Sequence, residues 1–135
     1  MQLLINPADE LPIYRQIMRQ ITEAIAGGLL RSGAKLLSHR ELSEQLVIAP
    51  LTVKKAYDEL EALGFIETVR GRGTFVAAKL PLPNPSADLE RLRQSARRLL
   101  AQAYLAGFTF EHVVELLEET HSQLTDNHES EKEKV

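Results

Sequence analysis

A mainly α-helical chain with one small β-hairpin is predicted by three features of this 135-residue sequence. Two amphipathic helical patterns stand back to back in residues 38–63, SHRELSEQLVIAPLTVKKAYDELEAL, with Leu42 and Leu46 on the first and Val53, Ala56, Tyr57 and Leu60 on the second. An alternating run, Phe65-Ile66-Glu67-Thr68-Val69, and its return, Thr74-Phe75-Val76, enclose the turn residues Arg70-Gly71-Arg72-Gly73. Beyond Pro81, Pro83 and Pro85, two further helical stripes fill most of the remaining chain.

Each element has a local cause. Leu11-Pro12 opens a first helix in which Ile13, Ile17, Ile21 and Ile25 recur every fourth residue, and Gly27-Gly28 ends it. That stripe marks a core helix. A turn at Gly33 leads to Ser38, an N-cap whose capping box is completed by Glu41, and Pro50 suits a first helical turn, where its missing N–H costs nothing. The break between these two helices is too short for a linker, so they cross steeply, as a helix-turn-helix. Gly64 stops the periodicity, and a hairpin placed there makes the unit a winged helix. The expected organisation is a winged helix-turn-helix DNA-binding domain over residues 1–77 and a proline-rich linker over 78–85. A helical dimerisation hairpin, two antiparallel helices, follows over 86–125, and a flexible charged tail over 126–135.

Composition bounds the function. The length holds one ordinary domain or one small domain with an appendage, so a large separate ligand-binding domain does not fit. The absence of cysteine excludes disulfides and thiolate chemistry and suits a reducing cytoplasm, and no apolar run approaches a membrane span. Net charge is −3, unevenly spread: residues 1–80 carry ten Lys plus Arg against nine Asp plus Glu, and residues 81–135 carry six against ten. The first part alone is near neutral, so the overall charge weakens a nucleic-acid reading without excluding it, and Lys54, Lys55, Arg70 and Arg72 are the cations there that can share one surface. A helix-turn-helix places the N-terminal end of its second helix in the major groove, here Leu51, Thr52, Lys54 and Lys55, with Arg70 and Arg72 at the wing tip within reach of phosphates or the minor groove.

These residues resemble the N-terminal domain of the GntR family of bacterial transcription regulators over residues 11–77. Four ordered blocks carry the resemblance: Pro12-Ile13-Tyr14-Arg15-Gln16-Ile17, Ser38-His39-Arg40-Glu41-Leu42-Ser43, Thr52 through Glu61, and Gly71-Arg72-Gly73-Thr74-Phe75-Val76. The resemblance implies that Arg40, Ala49, Pro50, Leu51, Thr52, Lys54 and Gly71 lie at or near DNA. The chain departs from the family pattern at Leu37, in place of a common proline; at Val47, in place of the turn glycine; and at Ala49-Pro50, in place of a Ser-Arg pair. Loss of that arginine removes a possible bidentate guanine contact.

The C-terminal stripes are Leu89, Leu92, Ala96, Leu99, Ala103 and Ala106 on one helix, and Phe110, Val113, Val114, Leu117, His121 and Leu124 on the next, which Thr109 caps. Two helices on a stiff linker have too little partner surface for both stripes, so association with a second copy is expected. The length and layout resemble the YtrA subfamily, in which a short helical hairpin dimerises the protein. His112, Glu115, Glu119 and His121 offer ligand types without sharing a face; no metal site, cofactor or catalytic constellation is expected. The main expectation is a homodimeric, cytoplasmic regulator, a repressor, on a near-palindromic operator in double-stranded DNA. Its rival is a winged helix used for protein interaction. A third possibility is a small-molecule effector in the apolar dimer interface; the sequence does not name it.

Overall fold

The computed structural model describes residues 2–133, with side chains through Leu124. Its elements in chain order are α1 (Ile13–Ala26), β1 (Lys35–Leu36), α2 (His39–Leu46), α3 (Pro50–Ala62), β2 (Ile66–Val69), β3 (Gly73–Val76), α4 (Pro85–Leu105) and α5 (Phe110–Glu133). They divide into two compact units, Met1–Pro81 and Leu82–Val135.

In the first unit the isoleucine stripe of α1 supplies the centre. Ile17 and Ile21 have no exposed surface, while Ile13 and Ile25 at its ends are half-buried. Val53, Ala56 and Leu60 of α3, equally inaccessible, close on them, with Leu42 of α2 and Ile66 and Val76 of the sheet. A side chain of that size stabilises by about 1.5–3 kcal/mol when fully buried, so this stripe fixes where α3 lies. The sheet is antiparallel with strand order β1-β3-β2. Val69 faces Gly73 across the hairpin, and β1 adds Lys35 opposite Phe75 and Leu36 opposite Thr74.

Two features escape the sequence reading. β1 is a strand of only two residues, held by the Gly33 N–H on the Val76 carbonyl and the Val76 N–H on the Ala34 carbonyl. The segment before α1 is also part of the core, because Leu3 is buried. Two glutamines one turn apart on α1 bind that segment as a neighbouring strand would. Gln20 takes the Leu4 N–H at 2.8 Å and donates to the Leu4 carbonyl at 2.7 Å. Gln16 takes the Asn6 N–H at 2.9 Å and donates to the carbonyls of Asn6 and Leu11. Each amide satisfies a backbone pair that no ladder serves.

In the second unit Pro85 is the first residue of α4 rather than the last of the linker, since Asn84 caps the helix and a proline at N1 sacrifices no bond. Thr109 and His112 form a reciprocal cap at α5: the Thr109 hydroxyl accepts from the His112 N–H, and the His112 Nδ1 accepts from the Thr109 N–H. Across most of the segment expected as a charged tail the backbone continues α5 to Glu133, and Lys134 and Val135 lie outside the described residues. Extending a helix already formed costs less than nucleating one, and Glu129, Glu131, Lys132 and Glu133 then favour it.

Candidate nucleic-acid interface

The helix-turn-helix is built by local chemistry. Ser38 Oγ accepts the Glu41 N–H at 3.1 Å while Glu41 Oε1 accepts the Ser38 N–H, the expected capping box. α2 ends at Val47, which stands in the left-handed region at φ 55°, the conformation that favours glycine. A β-branched residue is costly there, and this one is 91% exposed, so no packing offsets the strain. Tyr57 on α3 donates to the Leu37 carbonyl at 2.7 Å and fastens α3 to the approach of α2. Burial, and after it the Glu41 charge, push its pKa up to about 12.

α3 begins at Pro50 after Ala49, with no side-chain cap. Its N-terminal positive end is therefore open. Leu51 is 78% exposed, Thr52 is half-buried and Lys54 and Lys55 are exposed, while the opposite face of the helix is sealed in the core. The two lysines are not equivalent. Lys54 Nζ lies 2.8 Å from Asp58 Oδ2, an exposed pair worth a few tenths of a kcal/mol. Lys55 Nζ sits 4.2 Å above the Tyr14 ring, and Arg15 Nε donates to the Tyr14 hydroxyl at 3.2 Å. The start of α1 thus borders the recognition helix, and Tyr14 and Arg15 join the site although the sequence marked that helix only as core.

The wing follows directly. Arg70, Gly71 and Arg72 make a three-residue connection, all exposed, closed by the Arg72 N–H on the Val69 carbonyl, with Gly71 at φ 82°. Glu61 of α3 accepts the Thr68 N–H at 3.4 Å and so ties the hairpin to the helix. Lys35 is a further cation here. A Cβ on Gly73 would stand 3.1 Å from Lys35 Cε, so glycine leaves the path along which this lysine crosses the base of the wing. Only the β1–β3 pairing brings it there, and two residues give no periodicity to read. Arg40 is exposed on the first turn of α2.

The predicted dimerisation residues behave differently. Leu89, Leu92 and Ala96 are exposed and Leu99 and Ala103 half-buried on α4; on α5 Phe110, Leu117 and Leu124 are exposed, Val114 is half-buried and Val113 is buried. α4 and α5 touch only beside their connection, leaving a groove of about 460 Å³ floored by Leu99, Ala103, Phe108, Val113 and Leu116. The predicted α5 face therefore splits: Val113 turns toward α4 with Leu116, and Phe110, Leu117 and Leu124 do not. His112 lies edge-on to Phe108 at 5.9 Å. Among the described residues no helix is long and apolar enough to cross a membrane.

A half-sealed helix with an open N-terminus, set between a capped partner helix and an arginine-tipped hairpin, defines the first unit as a winged helix-turn-helix. Residues 13–76 match the family described as bacterial regulatory proteins, gntR family. The chain is 36% identical to the HTH-type transcriptional repressor YtrA of Bacillus subtilis over 115 residues, 85% of this chain and 88% of that one. That span exceeds the first unit, so the likeness extends into the helical hairpin. Among solved structures it resembles a protein of Listeria monocytogenes EGD-e described as a transcriptional antiterminator, at TM-score 0.70 and 34% identity over 92% of each chain. It also resembles YtrA from Sulfolobus acidocaldarius, a GntR-family transcription factor, at TM-score 0.56 and 39% identity over 73% of this chain and 97% of that one. The chain belongs to the GntR family of bacterial regulatory proteins.

Proposed function

We propose that this member of the family is a homodimeric, sequence-specific DNA-binding regulator, a repressor like its Bacillus subtilis relative, acting on an inverted-repeat operator. The observation that carries the reading is the first turn of α3: uncapped, solvent-facing and backed by a sealed core. A phosphate is attracted to such a helix end, and a major groove admits it. Leu51 and Thr52 meet base edges there, with Ala49 and Pro50 close to the backbone. Arg40, Lys54 and Lys55 hold phosphates or bases, and Arg70, Gly71 and Arg72 extend the contact from the wing. Tyr14, Arg15 and Lys35 add to the same surface. Exposure of Leu89, Leu92, Phe110, Leu117 and Leu124 supports a second copy covering the hairpin. No catalytic role is proposed for any residue.

The test is fluorescence anisotropy of the purified protein on DNA from upstream of its own gene and on scrambled DNA of equal length, at about physiological salt. A preference of about a thousandfold, with two chains per duplex, is expected. Equal affinity for both, followed by no enriched motif from a random library, sinks specific recognition. No binding even at low salt favours the protein-interaction module instead.

A further inference from the structure

The groove between α4 and α5 is lined by apolar residues yet rimmed on the α5 side by Glu115 and Glu119. The two helices differ in charge. α4 carries Arg91, Arg93, Arg97 and Arg98 against Asp88 and Glu90, whereas α5 carries Glu111, Glu115, Glu118 and Glu119 through Leu124 and no Lys or Arg. At 100° per residue, Leu89, Leu92 and Ala96 prolong the groove-lining stripe of α4 toward its N-terminus. There α5 no longer accompanies it, and Leu92 is 66% exposed. Arg91 and Arg98 flank this stripe. Glu90 stands 3.7 Å from both Arg93 and Arg97, while Arg91 and Arg98 have no ion pair among the described residues.

We propose that the groove receives the N-terminal half of α4 from a second copy of this chain, with Arg91 and Arg98 of the partner subunit against Glu115 and Glu119. This rests on the homodimer proposed above and adds which helix meets which. Two antiparallel α4 helices place each exposed N-terminal half over the other copy's groove, so the contact forms twice and closes under a two-fold axis. Packing α5 on α5 instead would set four carboxylates against four. The interface is then part ionic, and added salt weakens it.

The chain has no cysteine, so introduced thiols report cleanly. Leu92→Cys and Leu116→Cys, both at exposed positions, are co-expressed on separate chains and oxidised mildly. The expected product by mass is the mixed disulfide, in excess over either homodisulfide; a predominant homodisulfide overturns the pairing. In sedimentation at low salt, Glu115→Lys with Glu119→Lys is expected to raise the dimer dissociation constant about tenfold, and Arg91→Glu with Arg98→Glu in the same chain to restore it. An unchanged constant also overturns it. Dimeric operator binding by the wild type together with no mixed disulfide between the Leu92→Cys and Leu116→Cys chains discards this pairing alone; a wild type monomeric at every concentration discards the dimer with it.

Discussion

The two units of this chain solve the burial problem differently. In the first, six side chains of the core, among them Ile17, Ile21 and Leu60, are almost wholly removed from water. In the second, no residue of the 21-residue α4 is buried, and Val113 alone of the described hydrophobics on α5 is. Similar amphipathic stripes therefore mean different things. One is completed by its own chain, and the other is left open, as half of the core that the proposed dimer would close. A recognition surface has to be rigid before it meets DNA, and the first unit is built so; an assembly surface has to remain open until its partner arrives.

The sharpest way to break that contrast is to remove one side chain from each unit. Ile17→Ala should cost about 3–4 kcal/mol in urea unfolding of the first unit, from lost burial and the cavity left behind. Leu92→Ala should leave that transition where it was and change only self-association by sedimentation. Equal losses in both would mean that the units do not hold separate cores.

A second test uses the Tyr57 hydroxyl. The folded chain keeps its proton to about pH 12, whereas the unfolded chain releases it near 10.0, so the folded state binds more protons between those values. Stability is then complete below pH 10 and falls as pH rises toward 12, by roughly 2–3 kcal/mol at about 1.4 kcal/mol per unit. Tyr57→Phe should lose the bond to Leu37 at neutral pH but show a flatter alkaline profile in thermal melts. An unaltered profile would assign the alkaline loss to other groups.

Smaller effects probe single positions. Val47→Gly should raise stability by about 0.5–1 kcal/mol, since it relieves the left-handed strain of an exposed residue that packs on little, less the extra freedom of glycine in the unfolded chain. A destabilised variant would show that the valine has a contact worth the strain. Lys35→Ala should leave the melting temperature unchanged and reduce the salt slope of operator binding by about one. Arg72→Ala is the reference for that slope, and equal slopes in Lys35→Ala and wild type would take β1 off the DNA surface.

Much of this was legible in the sequence where a single residue type has one local use. Ser38 with Glu41, Pro50 at a helix start and the glycines around the wing each announce their own geometry. What was not legible depends on pairing at a distance. Lys35 reaches the wing only through a two-residue strand, and Tyr14 reaches Lys55 only because α1 crosses α3. Gln16 and Gln20 look like ordinary helix residues until the segment they hold is seen. The α5 stripe was found, but periodicity cannot say which part of a wide stripe its own chain will cover. The helix past Thr125 was missed because an apolar pattern was taken as its limit, whereas a helix already formed can propagate beyond its apolar stripe.

The Tyr14 ring beneath Lys55 has a consequence for affinity. A free lysine surrenders up to about 2 kcal/mol of rotamer entropy when a ligand immobilises it. Here the ammonium is already restrained 4.2 Å above the ring before any nucleic acid arrives. Part of that ordering is completed during folding, so in the DNA contact proposed for Lys55 less disorder is left to remove. Substituting the ring by an aliphatic side chain would leave the charge count unchanged and still loosen the grip.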